Sequence, residues 1–196
     1  MQPPEAETFE ELRRRPASVV RVIVAGATGA SGSARVAAML ADALQMAGLE
    51  NDSVEIVHAG ATLLGVEAAS VEGAWRFVVV TGASAQTLTA AFGMVKAIDT
   101  RHRGARIEVL VTGQDAPRAH AAYLRVRSAA ERFLGRDVGF AGVFTEVDTA
   151  PANESDEADS TRRRATRASR AARMWAARLL AECSEGAWPE ATHSMN

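Results

Sequence analysis

Apolar residues in this chain fall into short unbroken runs separated by longer stretches with helical spacing. Val19–Ala25 (VVRVIVA), Val54–His58, Trp75–Val80 (WRFVVV), Arg106–Thr112 (RIEVLVT) and Asp137–Val143 are the runs. Trp75–Val80 is nearly continuous, as expected of a strand covered on both faces of a parallel sheet. Between the runs, apolar positions recur every three or four residues. The stretch 34–48 places Val36, Met39, Leu40, Ala43, Leu44 and Ala47 on one face and stops at Gly48. The stretch 86–100 does so with Leu88, Ala91, Phe92, Val95 and Ile98, and 117–134, opened by Pro117, with Ala121, Leu124, Ala129 and Phe133. Residues 59–73 are ambiguous, with Leu63, Leu64 and Val66 compatible with a short helix. Strands alternating with helices predict an α/β fold: a doubly wound, mostly parallel sheet of about five strands, helices on both faces, joined by right-handed crossovers.

The flanks have a different composition. Residues 1–17 form a polar arm with a short helical pattern, Phe9-Glu-Glu-Leu12, stopped by Pro16. The α/β domain takes 18–150, and the acidic, turn-rich 151–160 reads as a linker. A basic helix over 161–183 is assigned to the domain, and 184–196 to a frayed tail. On that helix Arg163, Arg167, Arg170 and Arg178 share one face, and Ala165, Ala168, Ala172, Trp175, Leu179 and Cys183 share the other. Two readings follow: a helix packed on the domain with solvated arginines, which is preferred, or a membrane-surface helix, whose mostly alanine face offers little apolar area. No internal repeat is evident.

A chain of 196 residues supports one sizeable core. A net charge of −2 gives no sign of a whole-chain nucleic-acid binder, and the basic helix lacks aromatic interleaving. Lys96 is the sole lysine, so the positive charge is almost all arginine, a composition first attributed to base content of the coding sequence. The single cysteine, Cys183, allows no internal disulfide and fits a reducing cytosol. No apolar run is long enough for a membrane span, and the acidic start is unlike a signal peptide. His58, His102, His120 and His193 lie on separate elements with no metal-ligand spacing. Asp115 and Asp148 fall near carboxyl ends of strands, where open α/β sheets place their sites, but each stands alone.

The candidate chemistry lies after the first strand. Gly26-Ala-Thr-Gly29-Ala-Ser-Gly32 leads from strand to helix, a layout that aims backbone N–H groups and a helix N-terminus at an anion. A working phosphate loop of this kind has Lys and then Ser or Thr after its last glycine. Here those positions are Ser33 and Ala34. Ser31 and Ser33 are expected to cap the helix rather than act as nucleophiles, because the sequence places no base beside them. Three uses of the loop compete: a vestigial phosphate site on Gly29, Gly32, Ser33 and Ala34, a turn that binds nothing, and a dinucleotide site. The third draws on the similarity of GATGASG to atypical short-chain dehydrogenases. It lacks an acidic residue at the end of strand two, which reads His58-Ala59, and a Tyr-x-x-x-Lys pair, since Tyr123 is followed at that spacing by Arg127. The degenerate phosphate loop is therefore preferred.

Four stretches together resemble the MinD/ParA family of deviant P-loop ATPases, and within it the flagellar-number-regulator branch FlhG. Gly32-Ser-Ala-Arg-Val-Ala-Ala-Met-Leu-Ala-Asp-Ala-Leu44 is similar to the family's G-K-T-T-V-A-x-N-L-A-x-A-L. Val80-Thr-Gly-Ala-Ser-Ala-Gln-Thr-Leu88-Thr-Ala-Ala-Phe92-Gly-Met-Val-Lys96 is similar to V-T-x-P-E-P-T-S-L-T-D-A-Y-x-x-x-K. The stretch 118–142, with Ala129-Ala-Glu-Arg-Phe133-Leu-Gly135 and Phe140-Ala-Gly142, resembles A-x-R-F-L-G…Y-x-G. Glu7-Thr-Phe9-Glu-Glu-Leu12-Arg13 is similar to the branch's D-Q-A-x-x-L-R.

Departures qualify what the resemblance implies. The family's signature lysine falls on Thr28, its loop lysine on Ser33, its magnesium hydroxyl on Ala34, its adenine-contacting asparagine near Thr112 and its N-terminal glutamine on Thr8. The aspartate-bearing strand and the switch segment D-x-x-x-x-G have no counterpart in the short stretch 49–75. The resemblance thus implies a reduced P-loop NTPase fold and a pseudo-ATPase. It implies a cytoplasmic, non-catalytic regulator or scaffold for flagellar number or placement, peripheral to the membrane at most, working by protein contact. Phe9, Leu12 and Arg13 are the expected docking residues for a FlhF-like GTPase or flagellar component, and a homodimer face is expected from the family's dimers. No cofactor is expected, with ATP/ADP or NAD(P) as the alternatives the loop leaves open.

Overall fold

The computed structural model describes residues 20–27, 32–48, 54–62, 75–113, 115–144 and 170–184. The N-terminal arm with Phe9, Leu12 and Arg13, the loop residues 28–31, the helix expected around 63–66, the linker and the tail lie outside them. The elements are β1 (Val20–Gly26), α1 (Ser33–Met46), β2 (Val54–Gly60), β3 (Trp75–Thr81), α2 (Ala85–Arg101), β4 (Arg106–Thr112), α3 (Ala116–Leu134), β5 (Gly139–Phe144) and α4 (Arg170–Ser184). The strands form one five-stranded sheet in the order β2-β1-β3-β4-β5, with every neighbouring pair parallel.

This is the doubly wound arrangement that the alternation of elements predicts. β1 is bonded on one side to β2, with Val22 opposite Ile56, and on the other to β3, with Ile23 opposite Phe77. The chain therefore winds one way from β1 to β2 and the other way from β3 onward. The switch point lies between β1 and β3, where sheets of this order carry their ligands at the carboxyl ends of the strands.

Each strand feeds two cores. Ile23, Phe77, Val79, Ile107, Val109 and Val111 point to the face covered by α2 and α3. Val22, Val24, Val78, Val80 and Leu110 point to the face covered by α1 and α4. Burial on both sides explains the near-continuous apolar runs.

The helices show where the spacing was misread. On α1 the stripe Val36, Met39, Leu40, Ala43 and Leu44 is buried, but Ala47 is exposed beyond the helix end. On α2 Leu88, Ala91, Val95 and Ile98 are buried and Phe92 is half-buried. On α3 the inward face is Ala119, Ala122, Tyr123, Val126 and Ala130. The expected Ala121, Leu124 and Phe133 are exposed, Phe133 at 67 %, and Ala129 is only half-buried. The buried stripe combines small alanines, which bring the helix close to the sheet, with Tyr123, whose hydroxyl donates to the Val138 carbonyl at 2.9 Å. Gly135 then ends α3 in the left-handed conformation (φ 63°), with its N–H on the Glu131 carbonyl and that of Arg136 on Ala130. Gly135 and Arg136 are taken up by that cap, and β5 begins at Gly139 rather than at Asp137.

α4 lies against α1 and β5. Ala172, Trp175, Ala176 and Leu179 are buried, while Arg170 is exposed. Arg178, expected on the solvated face, instead turns inward to Glu108 at 2.8 Å and to the Phe140 carbonyl at 3.0 Å. Residues 161–169 and the Cys183 side chain lie outside the described set.

Candidate functional site

The carboxyl ends of the strands carry Gly26, His58, Thr81 and Thr112, and α1, α2 and α3 begin there. β1 continues one bond beyond its last strand residue, Ala27 N–H donating to the Val80 carbonyl at 2.7 Å, which ties the start of the glycine loop to β3. Gly32, the N-cap of α1, is in the left-handed conformation (φ 85°) that favours glycine. Having no side chain, Gly32 supplies no cap to the first-turn amides.

Ser33 is the first residue of α1, not its cap as the sequence suggested. Its hydroxyl crosses to β2 and lies 3.0 Å from His58 Nε2. The spacing 25 residues apart hides this pair in the sequence. It arises because β2 runs parallel beside β1 and its final turn brings His58 level with the helix start. Gly26 makes the contact sterically feasible: a Cβ there would sit 2.8 Å from Ser33 Oγ. Ala34, where the family's magnesium hydroxyl falls, is exposed and offers only its backbone. Arg35 follows in the same turn and already has a partner. Gly29 and Thr28 lie outside the described residues.

The neighbouring helix starts are conventional. Ser84 caps α2, accepting from Thr87 N–H at 3.2 Å. Asp115, one of the lone carboxylates at a strand end, caps α3 by accepting from Arg118 N–H at 2.9 Å, with the Arg118 side chain 3.6 Å away. That role accounts for it without catalysis; Asp148 lies outside the described residues. Thr81 Oγ1 donates to the carbonyl of Thr87 at 3.1 Å or that of Gly82 at 3.0 Å. Thr112, where the family contacts adenine, is buried, its hydroxyl 3.4 Å from the Thr81 carbonyl. The N-caps of α1 and α2 are uncharged and neither helix has an acidic residue in its first turn, so these two N-termini present partial positive charge to this edge, whereas Asp115 places a carboxylate at the start of α3.

The other candidates have structural employment. His120 packs against the rings of Tyr123 and Phe140. His102 ends α2 and lies on Phe77, ring centres 5.1 Å apart. Burial and then the nearby Arg101 lower its pKa below the ordinary 6.5. Arg127 pairs with Glu131 and Asp137. Among the described residues no group of three or more His, Cys, Asp or Glu could hold a metal, and no helix is long and apolar enough to cross a membrane.

Sequence reasoning missed the principal charge cluster altogether, and it sits at the opposite end of the sheet. Arg76 on β3 and Glu108 on β4, 2 % and 1 % exposed, are 3.0 Å apart. Trp175 Nε1 donates to the other Glu108 oxygen at 2.8 Å, and Glu182 reaches Arg76 at 2.9 Å and Arg106 at 2.8 Å. Arg178 completes the set. The available signal was a charged residue inside each of two otherwise apolar runs.

No protein-family model and no curated protein matches this chain.

Proposed function

We propose that this chain is a non-catalytic regulator or scaffold of the MinD/ParA type, on the FlhG branch, acting in the cytoplasm through protein contact in flagellar number or placement. The observation that carries the reading is the first turn of α1. The residue at the family's lysine position is a serine tied to His58, and the next is an alanine without a metal-binding oxygen. Phosphoryl transfer depends on positioning and on counter-charge for the equatorial oxygens, and lysine and magnesium supply most of that charge. A strand order that puts a glycine loop at the switch point is compatible with the family likeness and with a retained, uncatalytic phosphate cradle.

On this reading the N-terminal arm docks a FlhF-like GTPase or a flagellar component, with Phe9, Leu12 and Arg13 in contact. Any dimer formed is not switched by ATP. The dinucleotide alternative is weakened by the end of β2, where His58 bonds Ser33 instead of an acidic side chain awaiting a ribose. Thermal unfolding with saturating ATP, ADP, NAD and NADP tests the reading. A bound ligand at a hundredfold excess over Kd adds about 3 kcal/mol. The expected outcome is no ATP turnover in the native chain and none in Ser33→Lys/Ala34→Thr. Phosphate release by either protein would overturn the regulator reading, and an NADP-specific shift would favour the dinucleotide enzyme.

A further inference from the structure

We propose that Ser33 and His58 form a nucleophile–base pair able to open carboxylic esters. The regulatory reading excludes phosphoryl transfer from ATP, not this reaction; the two rest on different observations and neither depends on the other. The pair rests on side-chain geometry: Ser33 Oγ to His58 Nε2 is 3.0 Å, the distance over which a base takes a hydroxyl proton. A serine in a helix's first turn commonly satisfies a backbone amide, yet this hydroxyl faces a histidine on another element, through space that Gly26 leaves open. The pair also stands at the carboxyl edge of β1 and β2, beside the switch point.

The chemistry around it selects an acyl rather than a phosphoryl electrophile. The tetrahedral state of ester cleavage concentrates one negative charge on one oxygen, which two backbone N–H groups can carry. The amides of Ser33 and Ala34 open α1, where no earlier helical turn supplies a carbonyl and Gly32 supplies no side-chain cap, and they are donors of that kind. A phosphoryl group spreads more charge over three oxygens, and the two positions where a phosphate loop carries its lysine and its metal-binding hydroxyl are Ser33, whose hydroxyl is turned to His58, and Ala34.

With His58 in its neutral Nδ1–H form, Ser33 Oγ–H donates to Nε2. As Oγ bonds the carbonyl carbon, its proton passes to Nε2. The bond from that carbon to the alkoxy oxygen then breaks, and the leaving alkoxide takes the proton from the imidazolium. Water repeats the sequence on the acyl-serine: its proton goes to Nε2, its oxygen bonds the carbon, and Ser33 departs with the proton. Ester and water become acid and alcohol, with no other reactant.

The test uses the full chain with a fluorophosphonate probe and p-nitrophenyl acetate. The expected result is one adduct, on Ser33 by peptide mass mapping, and release of p-nitrophenol that Ser33→Ala abolishes. His58→Ala should slow both reactions about a hundredfold, and added imidazole should restore part of the loss. Because His58 is exposed, that variant is expected to fold, which far-ultraviolet circular dichroism checks. No adduct, an adduct elsewhere, or equal rates in wild type and His58→Ala would each overturn the proposal.

Discussion

The two ends of the sheet solve opposite electrostatic problems. At the amino ends of β3 and β4, Arg76 and Glu108 are almost wholly buried, and Trp175, Arg178 and Glu182 arrive from α4 to pair with them. At the carboxyl ends of β1 to β4 no buried ion pair occurs among the described residues: Ser33 faces His58, Thr81 and Thr112 bond backbone carbonyls, and the Asp115–Arg118 pair is exposed. The strongest charge constellation of the described residues therefore serves docking of a helix, while the ligand end relies on dipoles. A buried pair holds only when every partner is present. A dipolar edge tolerates change, because each neutral hydrogen bond contributes little net stability.

The sharpest way to break this contrast is Glu108→Ala. It leaves Arg76 buried with only Glu182 opposite, removes the acceptor of Trp175 Nε1, and is expected to cost about 3–5 kcal/mol in urea unfolding. The double change Arg76→Met/Glu108→Leu should recover most of that loss, since apolar replacements of similar volume remove the desolvation penalty with the charge. An equal loss in both proteins would mean that shape rather than charge decides this end. At the other end Thr81→Val deletes the hydroxyl that reaches the Thr87 and Gly82 carbonyls and should cost only about 1 kcal/mol. A cost as large as that of Glu108→Ala would erase the distinction.

The smallest effect concerns His102, at the same end as the charge cluster but on the other face. Its folded-state pKa is lowered, so the unfolded chain binds the proton more readily. Stability should therefore fall as pH drops through the ordinary value of 6.5 toward the lowered one, and be fully retained above 6.5. In His102→Phe the decline of Tm between pH 7 and pH 5 should be shallower. An unchanged slope would assign the acid sensitivity to other groups.

Much of the fold was legible because parallel strands buried on both faces must be written as apolar runs. The same rule hid the charge cluster. Arg76 interrupts WRFVVV and Glu108 interrupts RIEVLVT, and a single sequence does not reveal that the register sets Arg76 opposite Arg106 and brings Glu108 within reach. The face of α3 differs from the expected Ala121, Leu124, Ala129 and Phe133 because the helix is rich in alanine all round, so more than one stripe has apolar spacing, and the buried one is Ala119, Ala122, Tyr123, Val126 and Ala130. The glycine loop was legible as an element junction, but the Ser33–His58 pair was not. It depends on how far β2 runs alongside β1, and the sequence suggested a capping role for Ser33, whereas Gly32 occupies the N-cap position.

Because α4 follows all five strands in the order of synthesis, its arrival has a direct bearing on how the newborn chain must behave. Once residue 144 has been made, all five strands exist, yet Val78, Val80, Leu110 and Phe144 still await the cover that α4 helps to provide, and Glu108 awaits an indole more than sixty positions away. The nascent sheet thus carries an oily flank with a carboxylate and a guanidinium set into it, the very surface on which chaperones act. Closure of that flank is a late, long-range event, so the sheet should be fully covered only after α4 has left the ribosome.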